Sequence, residues 1–293
     1  MSFTAKDVCK KAITVEATKM LSDARDAMLK YNISRIIVEH NQKPVGMVTE
    51  KGISRFLYIE NNDRPLDEIV ISKAMRSPLI SVNYNTDITE CAKLMLDNDV
   101  SSLIVKEKEE DENDGGVINL FTKSDLVKLY AEKYKEKFKI HDFMTNQQNV
   151  FTVSPSNSLH TVMKILIKER ISRVVVTRDG KIVGIVTSKD LMPITDFAEG
   201  DRIITNERYN SKYEQEETVK TNLGSIGHAM IVSDVMKKHI TTVKATTDLA
   251  IAAQIMTDKR ISGLPVTDSS GNHLTGIVTK TDVVKALVTE SNH

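Results

Sequence analysis

The chain has 293 residues, 40% hydrophobic and 27% charged, and its forty basic residues balance forty acidic ones, which leaves no global pull toward nucleic acid or anionic membrane. Two cysteines, Cys9 and Cys91, and seven scattered histidines argue against a disulfide framework and a metal cluster. No signal-peptide core and no apolar run near the ~18 residues of a membrane span is visible, so a cytoplasmic protein away from membranes is expected.

The first element is a short strand, Ile13-Thr14-Val15, followed by a helix that carries Met28. Ser34 stands six residues after Met28, ahead of the β-branched run Ile36-Ile37-Val38. A polar connection from His40 to Lys43 leads to a second run, Gly46-Met47-Val48-Thr49, and a helix over 53–59. The same order returns three times. Strands are predicted at 79–82, 150–153 and 240–243, joined to their helices by turn and cap residues such as Asn85-Thr86-Asp87 and Thr246-Thr247-Asp248. Met95, Leu166 and Met256 then precede Ser101, Ser172 and Ser262 by six residues. The runs Leu103-Ile104-Val105, Val174-Val175-Val176 and Leu264-Pro265-Val266 follow, and the threonines Thr122, Thr187 and Thr279 end the second runs. Closing helices are predicted over 126–138, from 191 onward and over 283–288.

Serine-to-threonine intervals are 49−34=15, 122−101=21, 187−172=15 and 279−262=17. All the variation falls between the two runs, as hairpin tips facing solvent allow, and the acidic stretch of the second repeat is an extended tip. One unit therefore reads strand, helix, strand, strand, helix in about sixty residues. A unit that small buries too little apolar surface alone, so the units are expected to pair, as residues 1–135 and 136–293. Lys128, Lys133, Lys135, Lys137 and Lys139 interleave with Glu132 and Glu136, which reads as a solvated amphipathic helix linking the halves. The polar stretch 195–232 fits no unit and reads as an inserted loop that drapes a cleft or holds a partner.

The pattern Ser-x-apolar-x-Val, hairpin, Gly-apolar-Val-Thr-x-x-Asp, repeated four times, resembles the cystathionine-β-synthase-type (CBS) domain family over nearly the whole chain. The resemblance implies an α/β fold of four tandem CBS domains paired into two Bateman modules in a disc-like arrangement. Its expected boundaries are 1–60, 70–135, 138–195 and 231–293, with an inserted polar segment at 196–230. A four-domain chain also resembles the γ subunit of AMP-activated protein kinase and its archaeal relatives.

Thr122 and Asp125, Thr187 and Asp190, and Thr279 and Asp282 form Thr-x-x-Asp starts of helices. On local physics such a pair is a capping box; within this family the aspartate takes ribose hydroxyls, and both roles can coexist. Repeat 1 departs, with Thr49-Glu50-Lys51-Gly52. Arg35 and Arg173 follow the serine in repeats 1 and 3, where the kinase subunit has a phosphate-contacting basic residue. The family geometry joins Asp125 to Ile13, Thr14, Ile33, Ser34 and Arg35. It joins Asp282 to Phe151, Thr152, Ile171, Ser172 and Arg173, and Asp190 to Ile240, Thr241, Ile261 and Ser262. Many of these apolar positions also read as plain core.

The resemblance implies a regulatory signal-transduction protein, not an enzyme, with an adenine nucleotide of the AMP, ADP or ATP class as ligand and no cofactor or metal. A related adenosine compound such as an S-adenosyl compound is the neighbouring expectation. An effector protein is the expected partner, a homodimer is compatible, and nucleic acid is disfavoured. The rival reading is an interaction or RNA-binding scaffold without nucleotide sensing.

Overall fold

The computed structural model describes residues 3–60, 65–106, 118–191 and 230–290. Repeat 1 comprises α1 (Ala5–Val8), β1 (Lys10–Lys11), β2 (Thr14–Glu16), α2 (Leu21–Tyr31), the hairpin β3 (Arg35–His40) and β4 (Lys43–Thr49), and α3 (Glu50–Glu60). Repeat 2 follows with β5 (Ser81–Asn83), α4 (Ile88–Asp97), β6 (Ser102–Lys106), β7 (Asn119–Thr122) and α5 (Lys123–Lys133). Repeat 3 has β8 (Thr145–Asn146), β9 (Thr152–Val153), α6 (Leu159–Lys168), β10 (Arg173–Arg178) and β11 (Lys181–Thr187), and turns helical over 188–191. Repeat 4 has α7 (Val232–Val235), β12 (Val243–Lys244), α8 (Leu249–Asp258), β13 (Gly263–Thr267), β14 (Leu274–Thr279) and α9 (Lys280–Glu290). The acidic tip at 107–117 and nearly all of the insert lie outside the described residues.

The constant spacing has a physical origin at two joints. At the first, helix leads into hairpin through a left-handed residue, Asn32, Asp99, Arg170 or Arg260. In repeats 1, 2 and 4 the next residue donates its N–H to the carbonyl of Met28, Met95 or Met256, as in a Schellman cap. Helix end and serine are thereby locked together. At the second joint, the residue after each threonine donates its N–H to the serine carbonyl: Glu50 to Ser34, Lys123 to Ser101, Ser188 to Ser172 and Lys280 to Ser262. Each residue after the serine consequently faces the threonine, as Arg35 faces Thr49 and Gly263 faces Thr279.

The repeats pair through exchanged lead-in segments. Lys10–Lys11 joins the sheet of repeat 2, in order β1-β7-β6-β5, and Thr145–Asn146 joins that of repeat 4, in order β12-β13-β14-β8. In return Arg76 bridges to Met47 and Lys237 to Ile185. The repeated glycine makes this crossing possible. A β-carbon on Gly276 would lie 2.5 Å from the Thr145 carbonyl oxygen, and one on Gly184 would lie 2.8 Å from Met236 Sδ. The first strand of each repeat starts later than the sequence suggests, at Thr14, Ser81, Thr152 and Val243, and in repeats 2 to 4 it is also shorter.

The helices then join the pairs. One apolar cluster unites α4 and α5 with α8 and α9, through Met95, Leu126, Tyr130, Leu249, Met256 and Leu287. A second unites repeats 1 and 3, through Met28, Ile53, Val162 and Leu166. The helix expected over 126–138 corrects to Lys123–Lys133. Glu136 takes a left-handed conformation and its N–H bonds Asp248 Oδ2 at 2.6 Å, so the chain turns toward repeat 4. Lys135, Lys137 and Lys139 therefore lie off the helix, and Lys137 pairs with Glu290 at 2.7 Å.

Candidate functional site

Each Thr-x-x-Asp start has the carboxylate half of a capping box, and at Thr122 the box is complete. The Thr122, Thr187 and Thr279 N–H groups donate to Asp Oδ2 at 2.9, 2.8 and 2.8 Å, and their hydroxyls donate to the same oxygen at 2.8, 2.6 and 2.8 Å. The cap uses Oδ2 of each carboxylate and leaves Oδ1 outside the cap. That second oxygen meets Lys10 at 2.6 Å in Asp125 and Lys237 at 2.8 Å in Asp190; in Asp282 it lies 3.8 Å from Lys285. Asp282 is 4% exposed, and its burial raises the carboxyl above the usual carboxylate range despite the Thr279 hydrogen bonds. In repeat 1 the Gly52 N–H donates to Thr49 Oγ1 at 2.9 Å, a cap with no carboxylate.

Neither arginine is a solvated strand residue. Arg35 Nη1 donates to the Ser101 carbonyl at 2.7 Å and to Ser101 Oγ at 3.0 Å. Arg173 Nη2 donates to Ser172 Oγ at 2.9 Å and Ser262 Oγ at 2.6 Å, and its buried Nη1 has no hydrogen-bond partner among the described residues. A β-carbon at Gly263 would collide with Arg173 Nη1, so the glycine makes room for the guanidinium. Burial lowers both arginines, Arg173 to about 10, while Asp125 and Glu50 oppose the shift in Arg35 and Asp282 opposes it in Arg173. The structure thus sets Arg35 in the field of Asp125 and Arg173 in that of Asp282. Each also touches the serine of its partner repeat.

Of the remaining sequence-selected residues, Ile13, Thr14, Ile33, Ile171, Ile240 and Ile261 are half-buried, and Ile33 and Ile261 donate the helix-closing bonds. Ser34 and Thr152 are exposed, and Phe151 is 40% exposed. Thr241 Oγ1 accepts from Lys259 at 2.7 Å. Lys10 and Lys237, the ion-pair partners of two of the aspartates, escaped the sequence reading. Their signal was present: Lys10-Lys11-Ala12-Ile13-Thr14 and Lys237-Lys238-His239-Ile240-Thr241 share one pattern. Glu50 also escaped it. This half-buried carboxyl is pushed up by desolvation and stands in the field of Lys189, Arg35 and Asp190.

Both cysteines are free. Among the described residues no group of His, Cys, Asp and Glu gathers as a metal site, and no helix is long and apolar enough to cross a membrane.

The sequence profile of the CBS domain matches residues 5–59, 68–132, 140–194 and 232–289. The chain belongs to the CBS domain family. Its four domains are CBS1 to CBS4 below, and the two sheet-paired halves are its Bateman modules. The uncharacterized protein MJ1225 of Methanocaldococcus jannaschii is 26% identical over 291 residues, covering 94% of this chain and 95% of that protein. The crystal structure of MJ1225, described as a proposed archaeal homolog of γ-AMPK, superposes with a TM-score of 0.79 at 24% identity, covering 97% of this chain and 99% of that one. The chloroplastic CBS domain-containing protein CBSX1 of Arabidopsis thaliana is 30% identical over 156 residues, which is 51% of this chain and 64% of that protein.

Proposed function

We propose that this protein is a regulatory sensor that binds an adenine nucleotide, or a related adenosine compound, in the clefts between paired CBS domains. The observation that carries this reading is the buried Asp282 carboxyl set in the field of the desolvated Arg173 guanidinium. One oxygen of the carboxylate caps the helix and the other takes no part in the cap, so that ribose hydroxyls can donate to it. The guanidinium beside it is desolvated, and its Nη1 has a free donor that a phosphate oxygen can accept. The Asp125 cleft repeats the arrangement with Arg35 and adds Lys10. The Asp190 cleft has its carboxylate with Lys237, and the Gly52 cleft has none.

An effector protein that reads the bound state belongs to this proposal. Family membership supports the regulatory character. Calorimetry and thermal shift with AMP, ADP, ATP and S-adenosylmethionine test it. A ligand at a hundred times its dissociation constant should add ~2.7 kcal/mol to stability. No heat and no melting shift from any of the four would remove the sensor reading in favour of an interaction scaffold.

A further inference from the structure

Lys123 of CBS2 and Lys280 of CBS4 directly follow the capping threonines, and each reaches into the opposite module. Lys280 Nζ donates to Ser124 Oγ at 2.7 Å, and Ser124 directly precedes Asp125. Lys123 Nζ donates to Thr281 Oγ1 at 3.2 Å, directly before Asp282. The exchange is reciprocal: the ammonium of each helix start lies at the other module's aspartate-bearing turn.

Two observations separate this pair from ordinary structural lysines. First, Lys123 is only 8% exposed, and among the described residues no carboxylate is ion-paired with either ammonium. Burial lowers both, and neighbouring cations add to the effect: Arg35 and Arg173 on Lys280, Arg35 and Lys285 on Lys123. Asp99 and then Asp282 oppose it in Lys123, and Asp125 opposes it in Lys280, in each case only in part. Desolvated cations crowded together leave a junction that an anion stabilises. Second, the lysines that cross between CBS1 and CBS3 stand one position later after their threonines and end differently. Lys51 donates to the Arg170 carbonyl and Lys189 to Asn32 Oδ1, so these lysines hold the left-handed residues that close helices. Lys123 and Lys280 end on hydroxyls beside the aspartates, which can release them to a stronger acceptor.

We propose that Lys123 and Lys280 are phosphate-binding residues exchanged between the modules. Lys280 of CBS4 completes the Asp125 cleft, and Lys123 of CBS2 completes the Asp282 cleft. The assignment rests on the reading of these clefts as adenosine-phosphate sites and adds which side chains serve which cleft. A phosphate oxygen beside Arg35 accepts a hydrogen bond from Lys280, and one beside Arg173 accepts from Lys123. Each bound nucleotide then spans both modules, so filling one cleft fixes a residue at the start of the helix that forms the other.

Single-cleft backgrounds test the assignment. Asp190→Ala with Asp282→Ala keeps the Asp125 carboxylate alone; Asp190→Ala with Asp125→Ala keeps Asp282 alone. AMP and ATP affinities are measured by calorimetry in each, with adenosine as the phosphate-free control. In the Asp125 background, Lys280→Met is expected to weaken both nucleotides by about ten- to a hundredfold and leave adenosine unchanged, with Lys123→Met nearly neutral. In the Asp282 background the two lysines exchange roles. Lys280→Arg and Lys123→Arg, which keep the charge, are expected to restore most of the affinity, and this arm guards against variants that merely fold poorly. If each lysine instead serves the cleft of its own domain, or if adenosine and nucleotides lose affinity alike, the assignment is overturned. If the unsubstituted protein binds none of the three compounds, the reading of the clefts fails and takes the assignment with it.

Discussion

The carboxyl of Asp282 is the clearest case of one residue serving stability and binding with opposite signs. Its folded-state pKa is raised by burial, so the folded state holds the proton more tightly than the unfolded chain. The resulting contribution is fully present below the ordinary carboxylate range and is lost as pH rises through the raised value. At neutral pH the buried charge is therefore a net cost. Asp282→Asn removes that cost and keeps an amide oxygen to accept from the Thr279 N–H. The variant is expected to melt at an equal or higher temperature than the unsubstituted protein at pH 7, with the difference shrinking toward pH 4. Its nucleotide affinity is expected to fall by ~1.5–3 kcal/mol, the usual worth of a charge-assisted hydrogen bond. Melting curves at several pH values and calorimetry separate the two effects. A variant that loses stability and affinity in proportion would instead make the aspartate a helix cap alone.

At the scale of the element, the joint between helix and hairpin recurs in all four domains but is not equally comfortable. Asn32 and Asp99 hold φ of 50° and 48°, and their short polar side chains tolerate the left-handed region. Arg170 and Arg260 hold 54° and 52° with a β-carbon that crowds the following carbonyl. Arg260 is exposed and follows α8 as the left-handed residue of a Schellman cap, where glycine is the common choice. Arg260→Gly is expected to stabilise CBS4 by about 0.5–1 kcal/mol, the relief of backbone strain exceeding the entropy that glycine adds to the unfolded chain. Urea unfolding measures it, and a loss of stability would mean that the arginine side chain makes a contribution its geometry does not suggest. The repeated glycine is a different device. It lets one chain pass close beneath another, which is why Gly46, Gly184 and Gly276 recur where a neighbouring segment crosses.

For the whole molecule, the two apolar clusters matter more than the boundary between modules. The sheets pair CBS1 with CBS2 and CBS3 with CBS4, whereas the helices pack CBS2 on CBS4 and CBS1 on CBS3. Every domain is thus held on two sides, and separating the modules would expose Met95, Leu126, Leu249 and Leu287 together. The protein is expected to unfold in one cooperative transition by scanning calorimetry, with the calorimetric and van't Hoff enthalpies in agreement. Two resolved transitions would show that the modules are energetically independent.

Much of this architecture was readable in the sequence because it is local. The β-branched runs, the six-residue offset from Met28 to Ser34 and its three copies, and the Thr-x-x-Asp starts each reflect hydrogen bonds between residues a few positions apart. Repetition then multiplied a modest signal fourfold. The candidate arginines were legible for the same reason, as a fixed place in the hairpin. What those residues touch was not legible. Arg35 closes on Ser101 across 66 positions, Lys10 reaches Asp125 across 115, and Lys280 reaches Ser124 across 156. No periodicity in the chain encodes such distances. They depend on which sheet a lead-in strand joins and which helices share a cluster, and both are set by burial of apolar surface that is only complete when all four domains have packed. The four units, their caps and the chemistry of their side chains follow from the sequence; which lysine meets each carboxylate, which serine holds each arginine and which hydroxyl Lys123 and Lys280 reach follow from the tertiary structure, because those contacts exist only where segments distant in the chain converge.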